Sequence, residues 1–433
     1  MGHLRSWRRA LLIGFVALLY APPASASPPD IFGYGARSQA MGLGGAAYAN
    51  DYEAVYSNPA GLSRTRQYGV HLGLQIGHFD MEFGNDPAFV EAYGGQTIGL
   101  QLPLPFEGVL KDTLVIGAGF FAPFQSVLQT DIIFPETASW VVLNRSQSVH
   151  LQLGLGINLT RLVPGLRVGV GFAALANIGG RLNVEVDASN QFVSETETQL
   201  LASYSPIVGV QYDIGDFAFG FTWHDEVVSD IDLNVVTDIG FDLPVITITA
   251  TPQYDPHHLA FEGAWQPGDH WLVSAGLSIR LWSKYGGVVG KTTENSNLPP
   301  APDFRNTFTP RLGIEYRATR RRTTASLRAG YVYEMTPAPA ADLRPGRDSE
   351  GNDREEGGET VMLPVRYIDN DRHIITAGAG VSWDGSFGGT VRFDTFMQAH
   401  ILPSRTHNLD LGNGSFTSSG FVLAGGFSGS LLW

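Results

Sequence analysis

The sequence predicts an all-β chain that closes into a 14-stranded antiparallel transmembrane β-barrel. Three observations predict it: an export leader, a period-two alternation of apolar with small or polar residues past position 66, and connections that alternate between long and short.

Residues 1–26 read as a secretory signal peptide. Arg5, Arg8 and Arg9 form the positive start, Ala10 to Tyr20 the apolar run, and Ala24-Ser25-Ala26 a small-residue cleavage site, so the mature chain is expected to begin at Ser27. The apolar run is too short for a spanning helix, which needs ~20 residues. Arg8-Arg9 lacks the rest of a twin-arginine signal, which leaves general secretion. No other stretch is long and apolar enough for a membrane helix.

Removing three arginines and no acids takes the formal charge from −14 to −17, a poor balance for binding nucleic acid. The absence of cysteine excludes disulfides and thiolate metal sites. The 52 glycines and 11% aromatic content suit many short strands with one face kept small.

After the segment 27–66, which lacks the alternation, the barrel is expected to occupy 67–433. Strands are predicted near 67–77, 93–103, 113–121, 148–160, 166–177, 203–212, 217–228, 257–265, 270–283, 308–317, 323–334, 372–383, 389–401 and 418–433. In 150–159, Leu151, Leu153, Leu155, Ile157 and Leu159 share one face, and His150, Gln152, Gly154, Gly156 and Asn158 the other. The connections 122–147, 178–202, 229–256, 284–307 and 335–371 are long; 161–165, 213–216, 266–269, 318–322 and 384–388 are short. That rhythm is how outer-membrane barrels divide extracellular loops from periplasmic turns. Alternation alone also fits a soluble β-sandwich. The leader, the loop rhythm and strands near the ~10 residues a tilted span requires decide for lipid. The last segment, Phe421, Leu423, Phe427, Leu431 and Trp433, resembles the aromatic ending that barrel-assembly machinery reads. Outer-membrane lipid is therefore an expected partner.

Residues 27–66 carry Gly42-Leu43-Gly44-Gly45-Ala46-Ala47, then Asp51, then Asn58-Pro59-Ala60-Gly61-Leu62. This segment resembles the hatch of the FadL-like transporters of long-chain fatty acids and other hydrophobic compounds. Further on, Phe217 to Val227 is similar to a family strand end, although Trp223-His224-Asp225 departs from it. Trp282-Ser283-Lys284-Tyr285 resembles the family's Trp-Ser-x-aromatic end. Leu327-Arg328-Ala329-Gly330-Tyr331, Thr336-Pro337-Ala338-Pro339 and Asp369-Asn370-Asp371-Arg372 follow in family-like order; between about 122 and 200 the resemblance is weak.

The resemblance implies a 14-stranded barrel plugged by its own N-terminal segment and a hydrophobic ligand released into the periplasm when the hatch shifts, long-chain fatty acids foremost. It also implies a lateral exit at a kinked third strand, for which Gly117 and Gly119 are the candidates. Asn58 and Pro59 are candidates for the hatch anchor, since proline fixes its own backbone and asparagine bonds nearby backbone groups. Residues 33–47, rich in Gly and Ala, are expected to be lightly held. Ile132, Ile133, Phe134 and Trp140, with Val141 and Val142, make a candidate substrate-capture loop. A surface-protein secretion barrel sharing the Asn-Pro-Ala-Gly-Leu motif is the alternative function.

Enzyme chemistry finds little support. No Gly-x-Ser-x-Gly elbow occurs outside a graze at 426–430 in the last strand. His150, His224 and His400 fall on lumen-facing positions. Gly42-Leu43-Gly44-Gly45 has no strand before it, as a dinucleotide fingerprint requires. His257 and His258 point to opposite faces of a strand, and no metal or cofactor is expected. Asp348, Glu350, Asp353, Glu355 and Glu356 read as a solvated loop; a divalent cation there would bridge it to lipopolysaccharide phosphates.

Overall fold

Lipid offers a strand no hydrogen-bond partner except another strand, so a spanning sheet must close. A computed structural model describes residues 28–433 except 85, 89–91, 125–127, 130–138, 141–146, 187–191, 239–245, 288, 293–297, 341–342, 349, 365–366, 386–387 and 409–414. The fourteen barrel strands are β1 Gly69–Phe83, β2 Tyr93–Pro103, β3 Leu114–Pro123, β4 His150–Asn158, β5 Leu166–Val186, β6 Phe192–Ile214 and β7 Phe217–His224, followed by β8 His258–Trp265, β9 Trp271–Arg280, β10 Thr307–Arg320, β11 Thr323–Glu334, β12 Arg372–Asp384, β13 Thr390–Asn408 and β14 Ser415–Leu432.

Each strand pairs antiparallel with its sequence neighbours. The seam closes where β1 pairs with β14 from Gly69↔Leu432 to Phe83↔Ser418. At its periplasmic end Tyr68 N–H donates to Trp433 O at 2.9 Å and Trp433 N–H to Tyr68 O at 3.0 Å.

The alternation sorts as the sequence implies. On β1, Leu72 and Ile76 face lipid at 59% and 63% exposure, while His71 and Gln75 are buried toward the lumen. Next to the short turns the outward side is aromatic: Phe217 stacks on Trp265 with centroids 6.3 Å apart, Trp271 meets Tyr316 at 4.7 Å, and Tyr68 meets Trp433 at 6.0 Å. Amphipathic rings of this kind mark a membrane–water interface.

Two long connections differ from expectation. The described parts of 178–202 and 229–256 are regular: the β5–β6 ladder continues up to Val186↔Phe192. The strands Val227–Asp238 and Ile246–Asp255 form a hairpin, and Val235–Asp238 runs parallel to β5 at Leu182–Glu185. Segments that rise past the bilayer still have backbone groups to satisfy, and pairing with each other does so.

The hatch fills the lumen with short turns of helix at Pro28–Phe32, Ala36–Ala40 and Ala54–Ser57, then a 3₁₀ segment at Pro59–Arg64. Small side chains there let several thin turns pack side by side where one long helix would leave gaps.

Candidate functional site

The site is the contact between hatch and wall, with the chamber above it. The Asn-Pro-Ala-Gly-Leu turn lies on a strip of missing side chains. Gly156 and Gly169 are register partners, Gly169 pairs with Gly209, and Gly209 with Thr222, which makes one row across β4 to β7. A β-carbon on Gly169 would lie 2.2 Å from Ala60 N, and one on Gly209 2.0 Å from Asn58 Oδ1. Glycine is required because backbone approaches backbone.

Asn58 is fully buried, and its amide closes the turn on both sides. Oδ1 accepts from Ala60 N–H at 3.1 Å. Nδ2 donates to Ala46 O at 2.8 Å within the hatch and to Val210 O at 2.9 Å on β6. Thr222 Oγ donates to Ser57 O at 2.8 Å. Pro59, at the start of the 3₁₀ segment, has no N–H to leave unsatisfied.

The segment 33–47 is held more firmly than its composition suggests. Glu262 on β8 accepts from Gly45 N–H and Ala47 N–H at 2.9 Å each. Gln398 on β13 donates to Phe32 O at 2.9 Å and Gln39 O at 3.1 Å. Thr376 on β12 takes the Gly42 N–H at 3.0 Å and gives its own proton to Ala40 O at 2.9 Å. Apolar contact of Ala36 and Ala40 with Phe396, and of Met41 and Ala47 with Ala264 and Leu272, adds to these direct bonds from wall side chains to hatch backbone.

A buried chain of ion pairs adds a second hold. On the wall, Arg328 bridges Glu315 at 2.9 Å and Asp394 at 2.6 Å, and Asp394 meets Arg392 at 3.0 Å. The hatch supplies opposite charges to its two ends: Arg37 to Glu315 at 2.7 Å, and Asp51 to Arg392. Next to Asp51, Glu53 accepts from Ser38 N–H at 3.1 Å, Ser38 Oγ–H at 2.7 Å and Arg37 N–H at 3.0 Å. Burial first, and then the neighbouring Asp51, push the Glu53 carboxyl up to about 7. Burial also acts upward on Asp51, but the Arg392 guanidinium outweighs it and holds that carboxyl down at about 2.

Above the hatch, Phe32 stacks on Tyr93 with centroids 4.8 Å apart within an apolar group that includes Phe79, Met81, Phe121 and Leu402. Beside this group lies a small cavity of about 50 Å³ lined by Asp30, Tyr56, His150, His224, Asp255, His258 and Arg280. At the outer rim, Tyr254, Trp282, Tyr285, Phe304 and Tyr367 form an aromatic cluster, with Tyr285 and Phe304 rings 5.1 Å apart. The Trp-Ser-x-aromatic motif thus feeds that cluster.

Gly117 and Gly119 sit in unbroken ladders with β2 and β4, without a shift in register. Their missing side chains make room for Leu62, Val55 and Tyr34 of the hatch. Ile132, Ile133 and Phe134, with Val141 and Val142, lie outside the described residues; the backbone of Trp140 pairs in parallel with Ile368. Among the described residues, no group of three or more His, Asp or Glu side chains is placed to hold a metal ion. The wall residues Glu262, Glu315 and Asp394 were not singled out from sequence, and Arg328 entered only within a family-like block. Their signal was there, because an ionisable side chain on the lumen phase of a spanning strand marks function.

Residues 136–346 match the family described as outer membrane protein transport protein (OMPP1/FadL/TodX). No curated protein matches the chain. A Pseudomonas aeruginosa FadL homologue shares the fold at TM-score 0.57 and 15% identity, covering 96% of this chain and 99% of that one. The Pseudomonas putida toluene transporter TodX does so at TM-score 0.56 and 15% identity, over 93% and 99%. The Ralstonia pickettii toluene transporter TbuX aligns at TM-score 0.50 and 13% identity, over 92% and 98%. At these identities the likeness is one of fold. Family match and closed barrel agree on an outer-membrane location.

Proposed function

We infer that this FadL-like outer-membrane barrel is a passive conduit for hydrophobic small molecules, opened by displacement of its hatch. The observation that carries this reading is the way the lumen is closed. The obstruction is a separate segment fastened by hydrogen bonds and ion pairs, so it can leave without unfolding the wall. A fixed pore has no need of such a plug, and a barrel sealed for structure alone has no need of one held through side chains.

Long-chain fatty acids are the cargo the sequence resemblance favours. The fold is equally that of transporters named for toluene. The class supported in common is a hydrophobic molecule, taken from the aromatic cluster at the rim into the chamber above the hatch.

The test is initial uptake of radiolabelled hydrophobic compounds by cells that lack transporters of this kind, with and without the chain, at measured surface level. Uptake above the empty-vector control supports the reading. Equal uptake for every compound tried, alongside a folded surface-located barrel, contradicts it.

A further inference from the structure

Resting on that reading, we infer that the route into this barrel selects uncharged hydrophobic molecules and disfavours carboxylates. The observation is a consistent sign of charge from entrance to chamber. The five long connections 122–147, 178–202, 229–256, 284–307 and 335–371 contain 22 acidic and 9 basic side chains. An anion approaching that rim meets a repulsive field before it meets any contact.

The small cavity between hatch and wall, about 50 Å³ with the hatch seated and widened when the hatch leaves, continues the pattern. Among the described residues, its lining includes three carboxyl groups, Asp30, Asp225 and Asp255, and one guanidinium, Arg280. Arg280 is already engaged: it donates to Glu334 at 3.2 Å and to Asp30 O at 3.3 Å, and lies 3.8 Å from the Asp30 carboxylate. Glu334 in turn is shared with Arg372 at 2.9 Å. Toward the rim, His257 Nδ1 lies 2.9 Å from Asp225, and Lys284 is 3.0 Å from the other ring nitrogen. The ring thus stands between Lys284 and the Asp225 carboxylate.

A fatty acid arriving as its anion would therefore have to give up its hydration, displace Glu334 or Asp30 from Arg280, and sit close to the remaining carboxyl groups. A buried charge left without its own partner is costly. A hydrocarbon or a long-chain alcohol meets none of these obstacles. The neutral polar groups of the chamber, such as Gln152 and Ser205, remain able to hydrogen-bond a hydroxyl.

The experiment compares 1-dodecanol with laurate, which share a chain length and differ in the head group. Initial uptake is measured near neutral pH for the wild type and for the double variant Asp225→Asn/Asp255→Asn, at equal surface level and after subtraction of empty-vector cells. The expected result is a wild-type preference for dodecanol of about tenfold or more, narrowed severalfold in the double variant. Laurate uptake equal to or above dodecanol overturns the inference while leaving the conduit in place. So does a preference that the double variant leaves unchanged. If neither compound enters above the control, the conduit reading itself fails.

Discussion

At the residue scale, Asn58 seats on the glycine row with no room for a β-carbon beneath it. Replacing Asn58 with alanine removes the acceptor of the Ala60 N–H and the donor to the wall carbonyl of Val210, and leaves the Ala46 carbonyl with Gln211 alone, a cost on the order of 2 kcal/mol against the seated hatch. Gly209→Leu acts from the other side, since even a β-carbon there collides with Asn58 Oδ1. Both variants should fold as barrels yet admit small polar solutes, read as sensitivity to an antibiotic normally held out by the outer membrane. Wild-type exclusion in Gly209→Leu would show that the glycine row is not a seat. Glu53 gives the hatch a pH dependence. Its carboxyl is raised from 4.5 to about 7 in the folded protein, so its contribution to seating is full below the ordinary carboxylate range and is lost as pH rises through about 7. Asp51, held at about 2, loses its contribution only in strong acid. Single-channel recordings should show more frequent opening at about pH 8 than at about pH 5, with Glu53→Gln flattening the difference. An unchanged slope in that variant would remove Glu53 as the cause.

At the scale of elements, the hatch and the wall meet through charges arranged so that each end of the wall's chain receives the sign it lacks. Asp51→Arg alone should loosen the hatch, and Asp51→Arg combined with Arg392→Asp should recover part of the closure. Recovery is incomplete because Arg392 also serves Asp394, which the swap leaves facing a carboxylate. No recovery at all would mean the pair is incidental. The hairpin at 227–255 is a separate matter. β7 and β8 pair with each other without it, from Phe217↔Trp265 to His224↔His258. Replacing residues 229–252 with a short Gly-Ser linker should leave a barrel whose gel mobility still changes on boiling; a chain that no longer resists detergent unheated would show that the hairpin is structural. Both elements illustrate what the sequence made legible. Period-two alternation located all fourteen strands, because one face meets lipid and the other does not. It gave no access to the extracellular pairing, where neither face meets lipid, and it misjudged 33–47, whose grip comes from Glu262, Thr376 and Gln398 in distant strands.

At the scale of the whole molecule, the account rests on a plug that must move for cargo to pass. The barrel's fourteen strands and closed seam supply rigidity, the hatch supplies the obstruction, and the acidic outer connections are the filter inferred above. The absence of cysteine from the chain allows a decisive test. A β-carbon built on Gly154 of β4 lies 3.6 Å from the Pro59 Cβ in the hatch, within the span of a disulfide, and its nearest other neighbour is the flexible end of Leu62, so Pro59→Cys with Gly154→Cys can form a disulfide. The measurement is initial uptake of 1-dodecanol by cells carrying the double-cysteine barrel, before and after mild reduction, with the fraction bridged read from a non-reducing gel. The account predicts near-background uptake while the bridge is closed and restored uptake once it is reduced. Undiminished uptake through a fully bridged barrel would contradict it.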